Sequence, residues 1–246
     1  MNSGIIKWGI FLISIASASS LVFGSIDDFF YEEHLISLQV SFWKIPQKPP
    51  EKLILYDVPF TSQAPLGDWK DPRQQNGCEE ASALMAIGWA RGEKNIIPFV
   101  ALQEIRAMAD FEFEHYGEFR DTSAEDTAKR ILGGYFGYSA AEVKKNISAE
   151  DIKWELYQGR VVIVPVNGQK LGNKFFTPPG PLEHMVVIRG YDLETKEFVV
   201  NDPGTKHGEG FRYSSSVLEE ALQDYPTGFH REIFKVEKVM VVVKKL

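Results

Sequence analysis

The stretch Asn76-Gly77-Cys78-Glu79-Glu80-Ala81-Ser82-Ala83-Leu84-Met85 carries the only cysteine of a 246-residue chain. Asn76 and Gly77 are turn formers. From Cys78 the composition is that of a helix running to Gly92, a residue suited to ending one. Cys78, Ala81, Met85 and Trp89, with Leu84 and Gly88 alongside, recur at helical spacing. The reading places Cys78 on the inward side at the helix start. There the unpaired N–H groups and the helix dipole favour thiolate over thiol. Alone, such a cysteine is more often core packing than chemistry.

Outward from this helix, the domain is expected to begin near residue 53. Leu53-Ile54-Leu55-Tyr56-Asp57-Val58-Pro59-Phe60 reads as a strand entering a loop that carries Gln63, Asp71, Gln74 and Gln75. Pro98 opens a second helix as a first-turn proline. That helix ends in an acidic patch, Glu112, Glu114 and His115, read as a solvated face. Asp121-Thr122-Ser123-Ala124-Glu125-Asp126 resembles a capping box for a third helix, and Ser148 to Asp151 caps a fourth that ends at Gly159. The pattern then changes. Arg160-Val161-Val162-Ile163-Val164-Pro165-Val166 is apolar almost throughout, as in a strand buried on both faces. A Gly- and Pro-rich loop from Asn167 to Glu183 leads to the strand His184 to Tyr191. Its hairpin partner, Glu197 to Asp202, is closed by Pro203-Gly204. Residues 210–213, 214–223 and 238–243 read as strand, helix and strand. Helices first and mostly antiparallel strands second make an α+β layout.

Three residues of this pattern suit thiol hydrolysis. That chemistry needs a deprotonated thiol, a histidine to take the proton and a third group to hold the imidazole. Cys78 lies at a helix start, His184 at the start of one strand and Asp202 at the end of its antiparallel neighbour, which puts the latter two at one end of the sheet. His34, His115 and His230 have no such setting, and His230 is read as a surface residue. His207 comes after Asp202 and is placed near the same end.

The strings Val58-Pro59-Phe60-Thr61-Ser62-Gln63, Gly77-Cys78, His184-Met185-Val186-Val187-Ile188-Arg189-Gly190-Tyr191-Asp192 and Val200-Asn201-Asp202-Pro203 resemble, in this order, the peptidase-like relatives of the bacteriocin-processing cysteine peptidases (cysteine peptidase family 39). The resemblance covers about residues 53 to 213 and implies a papain-like fold. It further implies Cys78 as nucleophile, His184 as general base, Asp202 as the group that orients the histidine and Gln63 as a donor to the oxyanion. Gln74 and Gln75 are rival donors, being nearer Cys78 in sequence. The chain departs from that family in having Glu79, then Glu80, where glycine usually comes after the cysteine. Their charge is expected to raise the thiol pKa against the helix end. It also lacks the phosphate loop and membrane spans of members fused to a transporter.

Composition bounds the rest. The net charge of −7, with no Lys/Arg-rich run, excludes a nucleic-acid partner by type. One cysteine excludes an internal disulfide. Zinc held by Cys78, His184, Asp202 or His207 is the lesser reading, and neither metal nor cofactor is expected. Residues 8–26 are uncharged and largely apolar, which fits a cleaved signal peptide (Ala16-Ser17-Ala18) or a retained membrane anchor. Residues 27–52, ending in Ile45-Pro46-Gln47-Lys48-Pro49-Pro50, read as a tether. The expectation is an exported monomer that touches the membrane through its N-terminus only and acts on a peptide or cell-wall amide. Two other readings use the same residues: a non-catalytic binding domain on this fold, and transglutaminase-like acyl transfer to an amine.

Overall fold

The computed structural model describes residues 49–246. The apolar segment, the tether up to Lys48 and His34 lie outside the described residues. Among those described, no helix is long and apolar enough to cross a membrane.

The seven described strands are β1 (Lys52–Ile54), β2 (Glu142–Lys145), β3 (Val161–Val166), β4 (His184–Asp192), β5 (Glu197–Asn201), β6 (Phe211–Ser214) and β7 (Val239–Val243). They form one sheet in the order β2-β7-β3-β4-β5-β6, with β1 paired to the far end of β4, and every pairing is antiparallel. Side chains alternate between two cores, as the pleat dictates. Val239, Val241, Val243, Ile163, Met185 and Val187 face one core. Met240, Val242, Val162, Val164, Val186 and Ile188 face the other. Each of β3, β4 and β7 is therefore buried on both sides, which explains the unbroken apolar run of residues 161–166.

The helices divide between these faces. On the first lie α1 (Pro72–Gln75), α2 (Cys78–Ala90), α3 (Pro98–Tyr116) and α4 (Ala124–Asp126), which continues in π-type turns over Thr127–Tyr135. On the second lie α5 (Ala149–Tyr157) and α7 (Ser215–Ala221); α6 (Gly168–Leu171) is a single turn. The caps are those the sequence implies. Ser148 and Asp151 form a capping box, Ser123 accepts from Asp126 N, and Pro98 opens α3.

The structure corrects several expectations. The strand read over residues 53–60 is confined to Lys52–Ile54. Beyond it Val58 and Pro59 dock by their carbonyl groups on the Asn201 amide. Gly190 permits the β1–β4 contact, because a Cβ there would stand 2.5 Å from Leu53 O. The loop after Asn167 contains α6, capped by Asn167 itself. The helix from Cys78 has no polar face: all its residues, Glu79, Glu80 and Ser82 included, are buried between sheet and helices. Glu112 is not part of a solvated patch but is buried, accepting from Thr122 Oγ1.

The buried carboxylates make stability depend on pH. Burial pushes Glu112 up to about 8, aided by the Glu79 charge and opposed by Arg130. Burial also raises Glu79, to about 7, and raises Glu80 well above the usual carboxylate range, with the charges of Glu112 and Glu79 adding to it. A carboxyl whose folded pKa exceeds its unfolded value binds more protons when folded, so stability falls as pH rises from the unfolded to the folded pKa. Thermal denaturation is therefore expected at a melting temperature several degrees lower at pH 8 than at pH 5.5. In Glu112→Gln that slope is expected to flatten, which calorimetry at the two pH values would register.

Candidate active site

Antiparallel pairing brings the site together. His184 is the first residue of β4 and pairs with Val166. Asp202 comes directly after Asn201, the last residue of β5, which pairs with Val187. Both side chains thus sit at one end of the sheet. Ser82, one turn along α2 from Cys78, donates to Met185 O at 3.2 Å, which ties the start of the helix to the start of β4. The N–H groups of the first helical turn have no intrahelical acceptor, and the Cys78 N–H is one of them.

His184 Nε2 and Asp202 Oδ1 are 2.8 Å apart, with side chains 2% and 0% exposed. Asp202 accepts three more hydrogen bonds: Gly204 N to Oδ1 at 2.9 Å, and Tyr213 Oη and Asn173 Nδ2 to Oδ2 at 2.6 and 3.1 Å. Burial would raise its pKa, but the imidazole, the tyrosine hydroxyl and the Gly204 N–H outweigh burial and hold the carboxyl below the usual range. It is therefore an ionised acceptor fixed by four donors. With Nε2 committed to Asp202, Nδ1 is the nitrogen left for a proton from elsewhere. Phe176 stacks edge-on against the imidazole, with ring centroids 5.3 Å apart.

Cys78 and His184 line one cleft of about 1160 Å³. The thiol does not hydrogen-bond the imidazole. Cys78 Sγ donates instead to Glu79 Oε2 at 3.1 Å, and Tyr225 Oη donates to Glu79 Oε1 at 2.7 Å. Burial pushes the thiol pKa well above its ordinary value. The Glu79 charge and hydrogen bond and the charges of Glu80 and Asp121 add to the rise. The effect expected of the two glutamates from sequence is present, and burial exceeds it.

Of the three glutamines, Gln63 and Gln75 line the cleft, whereas Gln74 is fully buried with neither amide atom hydrogen-bonded. Gln63 Nε2 donates to the carbonyl oxygens of Gln74 and Gln75, at 3.1 and 2.9 Å. Both its amide protons are thus engaged, and an oxyanion would have to compete for one of them. Gln63 N donates to Pro203 O at 2.9 Å, so this loop is pinned to the turn after Asp202.

His207 also lines the cleft, near the site as its position after Asp202 implies. His230, read as a surface residue, is 60% exposed at the side chain, yet it belongs to the cleft wall with Nδ1 3.1 Å from Glu183 Oε2. With Asp121 it completes a group whose ligand-type atoms lie within 4.8 Å of one another. Among the described residues Cys78, His184, Asp202 and His207 do not form such a group. Asn173, Tyr213 and Tyr225 belong to the site without any signal in the sequence. They reach it from distant elements and carry no local motif.

A helix that begins with cysteine, packed on an antiparallel sheet whose neighbouring strands supply histidine and aspartate, is the arrangement of the papain-like class. The chain belongs to the Peptidase_C39 like family, whose model matches residues 55–227. Among solved structures it is similar to a protein from Bacillus anthracis described as a C39-like peptidase, at 18% identity and a TM-score of 0.48, covering 80% of this chain and 99% of that one. It is also similar to xylellain, a cysteine protease from Xylella fastidiosa, at 13% identity and a TM-score of 0.33, covering 81% and 87%. No curated protein matches the chain.

Proposed function

We propose that the protein is an exported thiol hydrolase that cuts peptide or amide bonds through an acyl-enzyme on Cys78. The observation that carries this reading is the buried 2.8 Å His184–Asp202 pair opening on the cleft that Cys78 lines. In the first step the S–H bond breaks, its proton passes to His184 Nδ1, and Sγ attacks the substrate carbonyl carbon. The Cys78 N–H and the Gln63 amide are the donors offered to the oxyanion. The C–N bond then breaks as the imidazolium returns the proton to the leaving amine. Water, deprotonated by the same imidazole, hydrolyses the thioester and restores the thiol. Asp202 holds the ring through Nε2, which leaves Nδ1 for the thiol proton. Export rests on the uncharged run of residues 8–26.

One observation favours a second reading, a domain that binds peptides without cutting them: the thiol donates to Glu79 rather than to the imidazole. A single experiment separates the two. The full chain is incubated with a mixed peptide library and the products are read by mass spectrometry. Hydrolysis is expected to give new termini, lost in Cys78→Ala. Peptides retained on the immobilised chain but left uncut, in wild type as in Cys78→Ala, would favour the binding domain.

A further inference from the structure

Glu79 touches the reacting sulfur but is neither the base nor an oxyanion donor of the proposed hydrolysis. Its two oxygens have separate partners: Oε1 takes the Tyr225 hydroxyl at 2.7 Å and Oε2 takes the thiol at 3.1 Å. Tyr225 comes from the segment after α7, across the core from the helix that carries Glu79. It holds the carboxylate with one oxygen presented to Sγ. The residue is 1% exposed, so water offers no rival to either bond.

We propose that Cys78 and Glu79 share one proton as a pair, and that Glu79 thereby sets the reactivity of the nucleophile. When Glu79 is ionised, the proton stays on sulfur and points away from the imidazole. When Glu79 is protonated, its O–H becomes the donor and sulfur the acceptor, so that loss of the S–H proton leaves a thiolate with a neutral, hydrogen-bonding neighbour. Within the singly protonated pair the exchange is balanced: the S–H bond breaks as the Oε2–H bond forms, and the pair keeps one negative charge. Glu79 is then a catalytic residue that restrains the thiol at rest and stabilises the thiolate once protonated.

The surroundings make the second state accessible. Glu79 faces Glu80 on its own helix, Glu112 of α3, Asp121 of the loop after α3, and Tyr225, while Arg130 acts on the Glu112 side. Burial raises Glu79 to about 7, the Tyr225 and Cys78 hydrogen bonds oppose that rise, and Asp121 adds to it. The carboxyl thus changes state in the neutral range.

The inference rests on the reading of Cys78 as the reacting thiol. It is tested by alkylation, which needs no substrate, so the two can fail separately. The rate of iodoacetamide labelling of Cys78 in the full chain is measured from about pH 5 to about pH 9.5. The thiolate with neutral Glu79 forms by losing one proton from the doubly protonated pair. Its population therefore rises tenfold per pH unit until Glu79 titrates, and is flat beyond, until the fully ionised pair forms. Wild type is expected to show this rise, a break near pH 7 and a plateau. In Glu79→Gln the break is expected to vanish, with labelling at pH 8.5 at least about tenfold faster than wild type. Tyr225→Phe removes a bond that favours the ionised form, so its break is expected to move to higher pH; this variant also serves if Glu79→Gln does not fold. A wild-type profile without a break would overturn the proposal. So would a break that persists in Glu79→Gln and disappears in His184→Ala.

Discussion

Asp202→Ala is expected to lower peptide cleavage by about 10³-fold or more and to cost about 3–5 kcal/mol of stability. Both effects come from one carboxylate. Asp202 is fully buried and accepts from His184 Nε2, Gly204 N, Tyr213 Oη and Asn173 Nδ2. Alanine leaves His184, Gly204 and Tyr213 without this acceptor, while Asn173 Nδ2 keeps its bond to Tyr213 Oη at 2.6 Å. It also frees the imidazole to turn, so that Nδ1 is no longer kept as the nitrogen free for the thiol proton. Asp202→Asn is expected to recover much of the lost cleavage and a smaller part of the lost stability. Its amide oxygen can still accept from His184 and Gly204 and so keep the ring oriented, while its NH2 donates to Tyr213 Oη but faces the Asn173 NH2, a donor in place of an acceptor. Cleavage rates and denaturant midpoints of the two variants, set against wild type, check this. If alanine and asparagine behave alike, Asp202 does not orient the histidine by hydrogen bonding.

Gly208→Ala is the second large effect, and it acts through backbone. A Cβ at this position would overlap Asp202 O and lie 2.7 Å from Asp202 C. No rotamer change relieves a contact with main chain. Gly208 O also accepts the Asp202 N–H at 3.0 Å, so the two residues hold each other directly. The loop must open by roughly an ångström or more, at a cost of about 3 kcal/mol. Because the displaced atoms are those of Asp202, cleavage is expected to fall more steeply than stability. Comparing activity well below the melting temperature with the melting temperature itself separates the two. A variant with lowered melting temperature and full activity would show that the loop tolerates the shift without moving the carboxylate.

Cys78, His184 and Asp202, the three residues of the proposed site, can be named from sequence because each sits where a strand or helix begins or ends. The apolar runs of residues 161–166 and 184–191 fix two neighbouring strands, and the short turn at residues 192–196 forces an antiparallel pair. His184 and Asp202 are then neighbours by topology alone. The Val58-Pro59 and Asn201 motifs are separate strings in sequence but a single contact in space, through the Asn201 amide and the Pro59 carbonyl at 3.0 Å. Burial of charge is what the sequence hides. Two glutamates in a first helical turn look like ordinary helix-start residues. Only the packing of α2 on all sides places Glu79 and Glu80 in the interior. Glu112 misleads for the same reason, since its neighbours Glu114 and His115 are exposed. Asn173, Tyr213 and Tyr225 are joined to the site by side-chain bonds across long stretches of chain, and no periodicity records such bonds. The strand Glu142–Lys145 is equally silent in sequence: it is an edge strand with two lysines, and it is a strand because β7 offers it partners.

In the proposed hydrolysis the Cys78 thiol reacts through His184. This is tested most directly by the rate of iodoacetamide labelling of Cys78 near pH 6.5, in wild type and in His184→Ala, with folding of both confirmed by circular dichroism. Labelling is expected to be at least about tenfold faster in wild type, since only there does an imidazole stand ready to take the proton. Equal and slow labelling in the two proteins would contradict it.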